Sequence, residues 1–189
     1  MNNLKVSDLM IPVVEYSRVK EDTSVHAAMT ELVKESKDKN LSHPHRDLLV
    51  EDSNGKVIGM VTMLDIFKHM EPSYFKLLSK NPSRFLDKSY VQKVFKDFHL
   101  WSEPLKSLCQ RIGGVKVSDI MQTPEQADIL SEEDKLDKAL HAYIVGAQQP
   151  TLVRKDGKIT GVLRLGDVFE KVRDSILACE IVTTENFKE

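Results

Sequence analysis

The stretch VIGMVTMLDIF at residues 57–67 occurs a second time, in altered form, as ITGVLRLGDVF at residues 159–169. Gly59 matches Gly161, Asp65 matches Asp167 and Phe67 matches Phe169, each pair 102 residues apart. A Gly-Lys pair precedes both copies, Gly55-Lys56 and Gly157-Lys158. Each copy reads as a strand running into a helix. Thr62 and Asp65 fall at the first junction, Arg164 and Asp167 at the second. A chain that carries one strand–turn–helix unit twice is built from repeats, and that limits the folds open to it.

The repeat extends upstream. Val6-Ser7-Asp8-Leu9-Met10 returns 111 residues later as Val117-Ser118-Asp119-Ile120-Met121, and Pro12 and Pro124 follow, so each copy should leave a short helical turn and become extended. Residues 13–19 continue as an extended, partly apolar segment. Thr23 stands where a helix N-cap would stand. Behind it Val25, Ala28, Met29, Leu32 and Val33 form one apolar helical stripe. Their counterparts 111 residues on are Leu136, Ala139, Leu140, Tyr143 and Ile144, with Asp134 at the cap position. Leu48-Leu49-Val50, the turn Asp52-Ser53-Asn54-Gly55 and residues 57–61 predict a hairpin. Leu152-Val153, Asp156-Gly157 and residues 159–163 predict its copy, one turn residue shorter. Residues 64–70 and 167–177 read as closing helices. Each half is therefore strand, helix, strand, strand, helix.

Between the halves, residues 71–114 are too long and too apolar for a plain connector. Val91, Val94, Phe95 and Phe98 make one helical stripe. Leu105, Leu108, Cys109 and Ile112 make another, with Ser102 placed to cap it, Pro104 in its first turn and Gly113-Gly114 ending it. Seven of the chain's aromatics fall here: Tyr74, Phe75, Phe85, Tyr90, Phe95, Phe98 and Trp101. Two readings fit, a helical insertion packed on its own module or a surface for another protein. Residues 179–189 form a tail of little pattern.

The balance of charge narrows the function. The 189 residues carry a formal net charge of −2, which disfavours a nucleic-acid binder. Cys109 and Cys179 make neither a disulfide framework nor a metal knuckle, so a reducing, cytoplasmic setting is expected. The opening residues lack the apolar run of a secretory signal, and no stretch approaches the roughly 18 apolar residues that span a bilayer. His43-Pro44-His45 lacks a third ligand nearby and reads as a polar loop rather than a metal site. No phosphate-cradling loop, nucleophile elbow or dinucleotide fingerprint is present, so catalysis has no support and no cofactor is required.

Thr62 and Asp65 admit two readings. A carboxylate can accept both hydroxyl protons of a ribose diol, and a threonine hydroxyl beside free N–H groups at a helix start suits a phosphate oxygen. The same Thr-x-x-Asp spacing is also a capping box. In the second copy Arg164 replaces the threonine. Arginine is no N-cap, but its planar fork suits a phosphate.

The VSDLM and VSDIM entries, the NGK and DGK turns and the two endings with aspartate resemble, in this order and given twice, a pair of CBS domains, the family named after cystathionine β-synthase. The resemblance covers residues 4–70 and 115–173. It implies a mixed α/β fold in which two βαββα CBS repeats, 1–70 and 115–178, pack about a pseudo-twofold axis with two clefts between them, plus the mainly helical insertion 71–114 and the tail 179–189. It also implies a regulatory module that binds an adenosine-type ligand, with AMP, ADP or ATP ahead of S-adenosylmethionine. Thr62, Asp65, Arg164 and Asp167 would meet ribose and phosphates. The adenine would lie against the entry strands, at Ile11, Val13 and Leu48 in the first half and Pro124 and Thr151 in the second, and Arg46 would reach a phosphate. Family members often form flat dimers, so a homodimer and an unidentified regulated protein are the expected partners, without nucleic acid or membrane insertion. The competing reading is a ligand-free interaction module that works through its aromatic-rich insertion.

Overall fold

The computed structural model describes residues 4–38, 45–74, 92, 95–123, 129–147 and 149–179. The chain forms two compact units, one of residues 17–123 and one that joins residues 1–16 to residues 124–189. The division does not fall where the sequence repeats begin. In each unit the opening segment comes from the other repeat.

In the unit of residues 17–123, β2 (Arg18–Lys20), β3 (Leu48–Glu51) and β4 (Val57–Val61) make a sheet in that order. β2 and β3 are parallel, with α1 (Val25–Asp38) as the crossover, and β3 and β4 are antiparallel. A parallel pair needs a crossover of this length, whereas an antiparallel pair closes through a tight turn. Asp52 makes that turn, its Oδ1 accepting from the N–H groups of Asn54 and Lys56 at 2.9 Å each. Then α2 (Met63–Met70) closes the repeat, and α3 (Leu105–Gly113) and α4 (Val117–Ile120) follow. Val19, Val25, Ala28, Leu48, Val50 and Val61 form the core together with Leu108 and Ile112 of α3 and Val117 and Ile120 of α4.

The second unit has a four-stranded sheet in the order β1 (Ile11–Pro12), β7 (Lys158–Leu163), β6 (Thr151–Lys155), β5 (Ile129–Ser131). α5 (Leu136–Ile144) joins the parallel strands β5 and β6, and α6 (Leu165–Ala178) closes the unit. Its hairpin is tighter than that of the first repeat. Asp156 and Gly157 both take positive φ, 48° and 78°, which lets two residues join twisted strands. Leu130, Leu136, Ala139, Tyr143, Val153, Leu163 and Val168 form its core, and Val6, from the start of the chain, completes it.

The entry segments dock alike. Val6 N–H donates to Asp134 O at 2.8 Å and Leu136 N–H to Leu4 O at 3.0 Å. In the other unit Val117 N–H donates to Thr23 O at 2.8 Å and Val25 N–H to Val115 O at 2.8 Å. Every residue in the first pair of bonds is 111 positions from its counterpart in the second. The matched glycines make room for this. A Cβ on Gly59 would stand 2.8 Å from Gln122 O, and one on Gly161 would stand 2.8 Å from Ile11 O.

Several local expectations change. Residues 13–19 are not one extended segment, because Val13–Glu15 is a 3-10 turn ahead of β2. Ser24 rather than Thr23 caps α1, its Oγ accepting from Ala27 N–H at 3.2 Å, while the Thr23 carbonyl serves Val117. Asp134 does not cap α5. It accepts from Ser131 N–H at 2.8 Å and pairs with Lys138 at 2.8 Å, shaping the turn ahead of the helix. Pro104 stands at the N-cap of α3, so Ser102 lies too far upstream to cap it. Of the expected α3 stripe, Leu108 and Ile112 are buried, while Leu105 and Cys109 are exposed.

Part of the insertion can be followed. Leu108 and Ile112 seat α3 in the core of residues 17–123, and Arg111 donates to the Met70 carbonyl at 2.9 Å. Trp101 donates from its backbone to Glu71 and from its ring to Tyr74, both at 3.0 Å. Burial pushes the Glu71 carboxyl up, but the Trp101 and Ser73 hydrogen bonds with nearby Arg111 outweigh it and hold it below the usual range. Phe75, Phe85, Tyr90, Val91, Val94, His43, Pro44, Pro124 and the tail beyond Cys179 lie outside the described residues.

Candidate functional site

Each unit ends its last strand at the start of a helix that carries an aspartate. In the first, β4 runs into Thr62, the N-cap of α2. Thr62 donates to Asp65 Oδ2 twice, from N–H at 2.9 Å and from Oγ1 at 2.7 Å, and Asp65 N–H returns a bond to Oγ1 at 3.4 Å. The capping box is therefore formed, and the threonine proton is committed to the carboxylate rather than to a phosphate. Asp65 Oδ1 accepts from Nε2 of Gln122, and Lys68 Nζ lies 3.6 Å from the same oxygen. An antiparallel bridge to Met60 fixes Gln122 in place, with both backbone bonds made, at 2.9 and 3.1 Å.

The second junction is built differently. Arg164 occupies the N-cap of α6 and makes no capping bond. Its guanidinium grips Asp167 with two bonds, Nε to Oδ2 at 2.7 Å and a terminal nitrogen to Oδ1 at 2.6 Å. The bond to Asp167 raises the pKa of Arg164 above its ordinary value. The bidentate pair accounts for the two residues sitting together without a cap. Beside it Tyr143 donates to the Leu163 carbonyl at 2.8 Å. Burial pushes the Tyr143 hydroxyl up to about 12; a bond with Thr151 opposes the shift and the Asp167 charge adds to it.

The remaining expected residues are regrouped. Leu48 pairs with Val61 next to Thr62, so it belongs with Asp65. Thr151 pairs with Leu163 next to Arg164, so it belongs with Asp167. Ile11 and Val13 were expected with the first half, but β1 is antiparallel to β7 and Ile11 pairs with Val162, which puts both in the unit of Asp167. Arg46 is exposed two residues after the undescribed segment, in the unit of Asp65. Gln122, Lys68 and Tyr143 were not expected. For Gln122 a signal existed, since its counterpart 111 residues earlier is the apolar Ile11. His45 is buried, its Nδ1 3.1 Å from Ser17 Oγ, and among the described residues no cluster of three or more His, Cys, Asp or Glu could hold a metal. No described helix is long and apolar enough to cross a membrane.

Residues 6–72 match the family model described as the CBS domain. The fold extends the likeness to most of the chain. A CBS-domain protein from Bacillus anthracis superposes with a TM-score of 0.58 at 18% identity, covering 91% of this chain and 94% of that one. CBSX2, solved in complex with AMP, gives 0.56 at 22% identity, with 92% and 99% covered. The CBS domain of a membrane protein from Sphaerobacter thermophilus gives 0.54 at 18% identity, with 88% and 86% covered. A search of curated protein sequences finds no match. Residues 6–72 thus match a CBS domain, and the chain as a whole has the fold of a CBS-domain pair.

Proposed function

We propose that this protein is a non-catalytic regulatory module that binds an adenine nucleotide of the AMP, ADP or ATP class and relays its occupancy to a dimer partner or another protein. The observation that carries this reading is the aspartate at the start of each closing helix, held at the end of a strand. A carboxylate so placed can accept the hydroxyls of a ribose. The AMP bound to CBSX2, a protein of the same fold, supports the ligand class. Ile11, Val13, Leu48, Pro124 and Thr151 would border the base, Thr62 would orient Asp65, and Arg164 and Arg46 would meet phosphate. A nucleotide shifts such a module only by binding one of its states better than another. Two exposed thiols, Cys109 and Cys179, suit a reducing cytoplasm.

The test is thermal unfolding of the full chain with AMP, ADP, ATP and S-adenosylmethionine. A ligand at 100 times its Kd stabilises by about 2.7 kcal/mol, which raises Tm visibly. One nucleotide should raise Tm, and the Asp65→Ala, Asp167→Ala double variant should lose that rise. No rise in protein freed of co-purified nucleotide would reject the proposal. It would favour the second reading, a ligand-free interaction module, for which the exposed Phe95, Trp101 and Leu105 of the insertion are the supporting observation.

A further inference from the structure

The two carboxylates differ in what they have left to offer. A carboxylate has about four acceptor positions, two on each oxygen. Asp65 Oδ2 has both taken by Thr62, and Oδ1 has one taken by Gln122, with Lys68 close by. A vicinal diol needs two, so Asp65 cannot accept one until a present donor leaves. The Thr62 bonds belong to the helix cap and stay with the helix. The Gln122 bond is the one that can be given up. Asp167 gives one position on each oxygen to Arg164 and keeps one on each. Exposure agrees: the Asp65 side chain is 2% accessible and that of Asp167 22%.

Resting on the nucleotide reading above, we propose that Gln122 is an affinity-setting residue that holds the Asp65 site closed to a ribose diol, so that the Asp167 site fills first. The bridge to Met60 keeps the amide at Asp65, and the ligand must displace it. A buried carboxylate that loses this donor must regain one, so the exchange carries a cost the Asp167 site does not meet. Ile11, the counterpart of Gln122 in the other unit, has no donor to place there.

The full chain is titrated calorimetrically with AMP. The wild type should show one tighter event, weakened at least about tenfold by Asp167→Ala, and a weaker one that depends on Asp65. Gln122→Ile should tighten the weaker event about tenfold, the scale of one hydrogen bond to a charged group, and adding Asp65→Ala should remove the gain. Gln122→Met, which keeps the side-chain length without the donor, should do the same and serves if the isoleucine variant melts early. The inference is overturned if Asp65→Ala removes the tighter event, or if both Gln122 variants fold and leave the weaker event unchanged or weaker. Binding indifferent to both aspartates would reject the nucleotide site itself. No AMP binding by either the wild type or the Gln122 variants would overturn both.

Discussion

The Tyr143 hydroxyl lies beneath the strand end that leads to Arg164, bonded to the Leu163 carbonyl. Its folded pKa of about 12 stands above the ordinary tyrosine value near 10. The neutral form is thus favoured in the folded state, and its contribution is fully present below about pH 10 and lost as pH rises toward 12. A shift of this size corresponds to at most about 3 kcal/mol. Tyr143→Phe should therefore lose less stability than the wild type between pH 10 and about 12 in chemical unfolding, although it is less stable at neutral pH. At this scale the sequence showed the two aspartates, because their spacing repeats. It did not show what bonds them. The bidentate bond of Arg164 to Asp167 is a matter of side-chain geometry that spacing does not give. Gln122 escaped notice because its reach to Asp65, 57 residues away, depends on its backbone bridge to Met60.

Elements repeat more faithfully than their caps. The strands, crossovers and hairpins fall where the apolar pattern set them, since a stripe of five residues is not moved by one substitution. Caps depend on a single hydroxyl or carboxylate, and Thr23, Ser102 and Asp134 all serve elsewhere or too far away. The glycines were legible as matched positions but not as contacts. Gly59 and Gly161 lie where an entry segment crosses the last strand, with a main-chain oxygen where a Cβ would go. Main chain does not yield as a flexible side chain does. Gly59→Ala should cost roughly 1–3 kcal/mol by overpacking, with Gly161→Ala similar. Alanine at Gly55 should cost less, since its Cβ would meet nothing within 4 Å and only the φ of +79° is strained. Urea unfolding of the three variants gives the ranking.

At the scale of the whole chain, one unit is continuous and the other is not. Residues 17–123 contain every member of their core, α3 and α4 included, whereas the core of residues 124–189 lacks Val6 without the chain's beginning. A fragment of residues 17–123 should melt cooperatively by circular dichroism. A fragment of residues 124–189 should not, unless a peptide of residues 1–16 is supplied. The sequence repeat could not reveal this, because two copies of one motif look alike whether each folds on itself or lends its opening to the other. The arrangement also orders events during synthesis. Residues 1–16 leave the ribosome more than a hundred residues ahead of the partners they pack on, and at about 5–20 residues per second the delay is of order ten seconds. For that interval Val6 and its apolar neighbours have no core of their own, so this short segment is where a chaperone would find the nascent chain and where premature pairing with another copy would begin.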